Sequence, residues 1–158
     1  MPHKKGFIDL LNVVVDTREP MRGIEIGFWE GEFCKELLDN FPNLTMLTID
    51  PSPRWESLNI PLNYFNKRLQ IFHMESDEAQ RVIEGKFDFV FIDGDHSYQQ
   101  CKKDILNYWK FVRPGGLLAG HNYHDSPDSA HLGVHQAVKE IFGDKHRLQP
   151  DFIWYVQI

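Results

Sequence analysis

Cysteine is scarce in this 158-residue chain: Cys34 and Cys101 are the only two, and both fall in apolar helical patterns without metal-type spacing. That excludes a disulfide framework and a thiolate metal site, and it predicts a reduced, cytoplasmic protein with buried thiols. Positive charge is also short. Seventeen Lys and Arg face 23 Asp and Glu, a net charge of -6, which argues against nucleic acid as the partner because phosphate binding needs a basic surface. The Lys102-Lys103 doublet is too short to change this and reads as a solvated helix face. No apolar run approaches the length of a membrane span. The start has a basic tip followed by apolar residues, but Asp9, Asn12 and Asp16 interrupt it and no small-residue cleavage site follows. Neither a secretory leader nor a membrane partner is expected. Repeats, linkers and low-complexity segments are missing too, so residues 1–158 are expected to form one domain.

What is present is an ordinary globular composition, 42% hydrophobic and 25% charged, with twelve Phe that imply a ring-rich core. Phe7, Ile8, Leu10, Leu11, Val14 and Val15 recur at helical spacing. Gly23 to Gly27 reads as a strand ending in a glycine turn, and a helix follows from about Gly31 until Pro42 stops it. Further strands are expected at Leu44–Ile49, Leu69–Met74, Phe87–Ile92 and Leu117–Gly120. The run Phe87–Ile92 is apolar enough to be covered on both faces. Helices are expected at Asp77–Ile83, from Cys101 to Val112 with closure at Pro114-Gly115-Gly116, and at Val134–Phe142. His146–Leu148 and Phe152–Gln157 complete the chain as a hairpin. Strands alternating with helices predict an α/β fold with a parallel sheet covered on both sides.

In such sheets the ligand lies beyond the carboxyl ends of the strands, near the point where strand order reverses. Those ends carry Glu25-Ile26-Gly27, Asp50, Met74-Glu75-Ser76, Asp93-Gly94-Asp95-His96 and Gly120 to Tyr123. Polar or acidic groups stand at nearly every one. The first turn, Gly27-Phe28-Trp29-Glu30-Gly31, departs from the dinucleotide fingerprint, which places glycines where Trp29 and Glu32 stand. Carboxylates at Glu30 and Glu32 would repel a phosphate at the helix start. They suit instead a cationic ligand such as S-adenosyl-L-methionine, with its sulfonium and ammonium. Asp50, nineteen residues after Gly31, can accept from both ribose hydroxyls; its alternative is an Asp-Pro turn or a helix cap. Glu75 and Ser76 either reach an adenine or cap the next helix.

Together these residues resemble the class I S-adenosylmethionine-dependent methyltransferases, in their small bacterial O-methyltransferase-like branch of sugar and natural-product type. The resemblance rests on Glu25-Ile26-Gly27 with Gly31, on Asp50, on the run Phe87 to Tyr98 with its Ile92-Asp93-Gly94-Asp95-His96 block, and on Pro114-Gly115-Gly116. It continues through Gly133-Val134, Ala137-Val138 and Ile153 to Val156, nearly the whole chain from Gly23. It implies a Rossmann-like, doubly wound, mostly parallel sheet of about seven strands with an antiparallel last strand. It also implies methyl-donor contacts from Glu25, Gly27, Phe28, Trp29, Gly31, Asp50, Glu75, Ser76 and Asp93, and O-methylation of a small-molecule or sugar hydroxyl. In the metal-dependent sugar methyltransferases an Asp at the fourth strand's end helps hold Mg2+ and a His three residues later acts as base; by position these are Asp93 and His96. The chemistry is sensible, because a hydroxyl attacking a sulfonium methyl must lose its proton and a neutral imidazole accepts one near pH 7.

Two departures from the family matter. Many relatives carry Asp where this chain has Asn122, and an amide ligates a hard cation without adding charge, so a Mg2+ site of Asp93 and Asn122 is weakened. Little sequence precedes the first strand, so a substrate lid is expected from residues 51–67, from residues 121–132, or from a second copy in a homo-oligomer. His121 is a second base candidate or a hydrogen-bonding wall. His121, His124, His131 and His135 cluster in sequence, but only His131 and His135 have helical metal spacing, and Leu132-Gly133 speaks against helix there. His96 has the alternative of capping the next helix, Tyr98 and Tyr123 either line the pocket or simply pack, and Trp29 and Trp55 read first as packing. Two competing functions remain: a metal hydrolase on Asp93, Asp95, His96, His121 and His124, and a donor-binding module that has lost catalysis.

Overall fold

The computed structural model describes residues 4–61 and 63–158. Its elements run α1 (Lys5–Val14), β1 (Met21–Ile26), α2 (Glu32–Asn40), β2 (Leu44–Ile49), β3 (Leu69–Phe72), α3 (Ser76–Ala79), β4 (Phe87–Ile92), α4 (Tyr98–Tyr108), β5 (Val112–Gly120), α5 (Leu132–Phe142), β6 (Arg147–Gln149) and β7 (Ile153–Gln157). All seven strands form one sheet in the order β3-β2-β1-β4-β5-β7-β6. The first five of these pair in parallel, and β7 lies antiparallel to both β5 and β6. This is the Rossmann-like, doubly wound sheet expected from the sequence, with the order reversing at β1.

Side chains of successive strand residues point to opposite faces, and β4 shows why its sequence does not alternate. Phe89 and Phe91 enter one apolar cluster with Phe7 and Leu11 of α1 and Phe33 and Leu37 of α2. Val90 and Ile92 enter the other, with Ile105 and Tyr108 of α4 and Val138 of α5. On the first face Phe7 is the anchor of α1, its ring centroid 4.6 Å from Phe91 and 5.3 Å from Phe89. The same helix is tied to the β6–β7 turn, where the Gly6 N–H donates to Asp151 Oδ2 at 3.3 Å.

Bounds shift at several elements, with α4 at Tyr98–Tyr108 in place of Cys101 to Val112 and β3 ending at Phe72, and three further differences have a clear cause. α3 is a single turn, because only Ala79 and Ile83 of its stretch supply buried apolar contact and a short helix needs packing to persist. β5 starts at Val112, and Pro114-Gly115-Gly116 lies within it, where the register with β4 shifts between Phe87 and Phe89. α5 begins at Leu132 despite Gly133. The glycine is required there by proximity: a Cβ would stand 2.7 Å from the His96 carbonyl oxygen, so α5 can abut the start of α4 only without one. Among the described residues, no helix is long and apolar enough to cross a membrane.

Candidate active site

The parallel ladder sets the functional strand ends in a row. The Gly27 N–H donates to the Ile49 carbonyl at 2.8 Å, Asp93 N–H to Ile26 at 2.8 Å, Asp50 N–H to Phe72 at 3.1 Å and His121 N–H to Ile92 at 3.1 Å. Beyond this row, at the switch between β1 and β4, opens a cleft of about 1030 Å³. The residues singled out for donor contact, together with Asp93, His96, His121 and Asn122, all line it, whereas His124, His131 and His135 do not. Gly27 makes the turn possible. Its φ is +90°, and a side chain would overlap the Asp93 carbonyl, so the end of β1 lies directly against the end of β4.

Asp50 organises that turn. Its Oδ2 accepts the Trp29 N–H at 2.7 Å and its Oδ1 accepts the Ser52 N–H at 2.7 Å. The Asp-Pro turn is therefore real, yet each oxygen keeps a lone pair for a further donor in the cleft. Glu25 is 1% exposed and its Oε2 has no protein partner. Burial pushes its carboxyl up to about 8, with Asp93 and Asp50 adding to the rise and Lys4 opposing it.

Asp93 is the hub. Its Oδ2 pairs with the Lys4 ammonium, and its Oδ1 lies 3.3 Å from His96 Nε2 and 3.5 Å from His121 Nδ1. Burial alone would raise the Asp93 carboxyl, but His121, His96 and Lys4 outweigh it and hold the group well below the usual carboxylate range. With those ring nitrogens turned to Asp93 as donors, the opposite nitrogen of each imidazole is left as an acceptor. His96 is not the cap of α4. Ser97 is, accepting the Gln100 N–H at 3.3 Å, while Asp95 Oδ1 accepts the Ser97 N–H at 2.7 Å.

Residues 24–123 match the family described as Methyltransferase domain. The chain belongs to that family. It is 29% identical over 119 residues to protein R132 of Acanthamoeba polyphaga mimivirus, covering 68% of this chain and 54% of that protein. It is 26% identical over 117 residues to the malonyl-[acyl-carrier protein] O-methyltransferase 2 of Ilyobacter polytropus, covering 73% of this chain and 44% of that protein. The chain thus spans about half the length of the curated relatives it matches. Its fold is shared with the O-methyltransferase of Bacillus cereus solved with S-adenosylhomocysteine, at TM-score 0.70 and 19% identity, over 100% of this chain and 82% of that one.

In this methyltransferase domain the far end of the cleft holds a polar cluster that the sequence reading missed. Ser76 Oγ donates to Asp104 Oδ1 at 2.6 Å, and Gln100 Nε2 reaches both, at 3.2 Å and 3.1 Å. Ser76 is therefore not a cap; the N-cap position belongs to Glu75, whose side chain makes no capping bond. Asp104 is 1% exposed, its Oδ2 has no partner, and burial pushes it up to about 6 despite the Ser76 and Gln100 bonds. Its signal was a carboxylate on the apolar stripe of α4, three residues after Cys101 and one before Ile105. Lys4 gave no comparable signal.

The first turn's aromatics divide. Phe28 is buried beneath Gly31, whereas Trp29 is 57% exposed with the Arg54 guanidinium 4.0 Å above its ring. Tyr98 pairs with Glu140, and Tyr123 hydrogen-bonds His146 at 2.8 Å; neither lines the cleft. The His131 ring packs edge-on 4.6 Å from His96 and lies tilted 5.5 Å from His124. Burial lowers its pKa, as do the neighbouring His96, His124 and His121. Among the described residues no three His, Cys, Asp or Glu are arranged to hold a metal ion.

Proposed function

We propose that this chain transfers the methyl group of S-adenosyl-L-methionine to a hydroxyl of a small molecule, with sugars as one candidate class. Glu25 carries the proposal: a buried carboxylate at the switch point, one oxygen unpartnered, with Asp93 and Asp50 beside it. A buried anion is expensive unless a cation meets it. The donor offers an ammonium and a sulfonium where a dinucleotide would offer a repelled pyrophosphate. Asp50 is suited to the ribose hydroxyls, and the cluster of Ser76, Gln100 and Asp104 to the adenine edge, where Asp104 Oδ2 is a ready acceptor for an amine.

When bound, the donor supplies an electrophilic methyl on a good leaving group, so the protein's part is positioning and proton removal. His96 takes the proton at Nδ1, its Nε2 being turned to Asp93, and the ionised Asp93 stabilises the imidazolium that results. His121 is held by the same carboxylate oxygen and forms the opposite wall. A carboxylate acceptor would need no base, so two imidazoles oriented by one Asp favour a hydroxyl.

The donor set does not suit Mg2+. That ion favours octahedral oxygen ligation with carboxylates, whereas the Asp93 oxygens already face Lys4 and two imidazoles, and Asn122 adds no charge. Titration calorimetry with S-adenosylhomocysteine and with NAD, each with and without Mg2+, tests the proposal. Micromolar binding of the S-adenosyl compound is expected, indifferent to Mg2+; binding of NAD in its place overturns the assignment.

A further inference from the structure

The amino-acid head of the donor carries a carboxylate as well as an ammonium, and the cleft is otherwise ringed by acids. Among the described residues that line it, Lys4 is the one Lys or Arg. Resting on the methyl-donor assignment, we propose that Lys4 is the clamp for the donor's α-carboxylate, with Glu25 and Asp93 taking the adjacent ammonium.

Lys4 lies outside residues 24–123, so the family match does not reach it. Its position is set by packing. Lys4 is the N-cap of α1, its carbonyl accepting the Phe7 N–H at 3.0 Å, and Phe7 is sunk among Phe33, Phe89 and Phe91. Lys4 therefore emerges over the same rings, its ammonium 4.5 Å from the Phe33 centroid and 5.5 Å from that of Phe91. Its side chain is 13% exposed, unusual for a lysine, and it is paired with Asp93.

This pair explains how the head would be accepted. An ammonium arriving at Asp93 competes with Lys4 for its oxygen and would leave a largely buried lysine without a partner, which is costly. A ligand that brings an anion on the neighbouring carbon removes that cost. The Lys4–Asp93 pair is thus the template of a zwitterion: each member exchanges the other for the opposite charge on the ligand. A simple cation would satisfy only Asp93, and a simple anion only Lys4.

The test compares S-adenosylhomocysteine, its carboxamide, and 5′-methylthioadenosine, which lacks the amino-acid head, on the wild-type chain and on Lys4→Met. For the wild type, exchanging carboxylate for carboxamide is expected to weaken binding about 10- to 100-fold, the range of a charge-assisted bond. In Lys4→Met the two should bind alike, at the weaker level, and 5′-methylthioadenosine should bind as in the wild type, which also shows that the cleft has kept its shape. Lys4→Arg should recover most of the discrimination. Wild-type affinity for S-adenosylhomocysteine in Lys4→Met overturns the clamp, as does an equal loss for all three ligands. Failure of the wild-type chain to bind any of the three defeats the methyl-donor assignment itself, a result separable from the other two.

Discussion

Asp50 accepts the backbone N–H of Trp29 across 2.7 Å, so the carboxylate that ends β2 shapes the turn that follows β1. One side chain thereby organises the cradle, and on the proposed function its remaining lone pairs would meet the donor's ribose. Asp50→Asn keeps one acceptor and should weaken S-adenosylhomocysteine about tenfold, whereas Asp50→Ala, losing bonds to turn and ligand together, should weaken it about a hundredfold or more. Calorimetry distinguishes the two. Equal, small losses would mean that Asp50 only shapes the turn.

On the proposed mechanism His96 serves proton removal and not donor binding. His96→Ala should abolish methyl transfer, followed as S-adenosylhomocysteine release, and leave donor affinity within about twofold. General-base contributions are typically about 10²- to 10⁴-fold. A variant that loses binding and turnover in parallel would place His96 in the donor site instead.

Glu25 makes binding depend on pH in a definite direction. Its folded-state pKa, about 8, lies above the ordinary 4.5, so the free protein holds a proton there that the unfolded chain has released. Stability from this group is full below about 4.5 and falls as pH rises toward 8. A cationic ligand stabilises the ionised form, so binding near pH 7 should release a proton and affinity should climb as pH rises toward 8. Calorimetry in buffers of different ionisation enthalpy measures this, and Glu25→Gln should remove both the proton release and the slope.

Asp104 contributes in the same sense over a lower window. Its pKa is raised from 3.8 to about 6, so its share of stability is lost as pH climbs between those values. Asp104→Asn should flatten that part of the thermal-denaturation profile. It should also weaken 5′-methylthioadenosine, because an acceptor at Oδ2 becomes an ambiguous amide.

Phe7→Ala should destabilise the fold by about 3–5 kcal/mol, the usual cost of emptying a buried aromatic site. Denaturant melts would show it. Among variants that remain folded, donor affinity should fall as well, since the helix start carrying Lys4 loses its anchor.

Much of this was legible in the sequence. The strand at Phe87–Ile92 is written as a run, apolar but for Asp88, that stops at the polar Asp93, and this placed β4 and brought the predicted strand-end residues to one cleft, though not Lys4, Gln100 or Asp104. Other features depend on contacts distant in sequence. Gly133 signals a helix breaker locally but is demanded by the His96 carbonyl across the α4–α5 junction. The β5 boundary was blurred because Pro114 and Gly115 read as punctuation, whereas the backbone bonds of Gly115 and Gly116 to Ile158, just beyond β7, hold this stretch in line. Ser76 was ambiguous between cap and site until its partner Asp104, 28 residues away, came beside it. Lys4 was invisible for the same reason, since nothing near it in sequence indicates that Phe7 will carry it to Asp93.

The bond from Gly6 to Asp151 joins the first helix to the last hairpin turn. On the proposed clamp, that turn would steady from behind the helix start that carries the lysine at the cleft mouth. Loosening it should then blunt selectivity for charged heads while leaving nucleoside recognition intact, which would place part of the specificity at the far edge of this small fold.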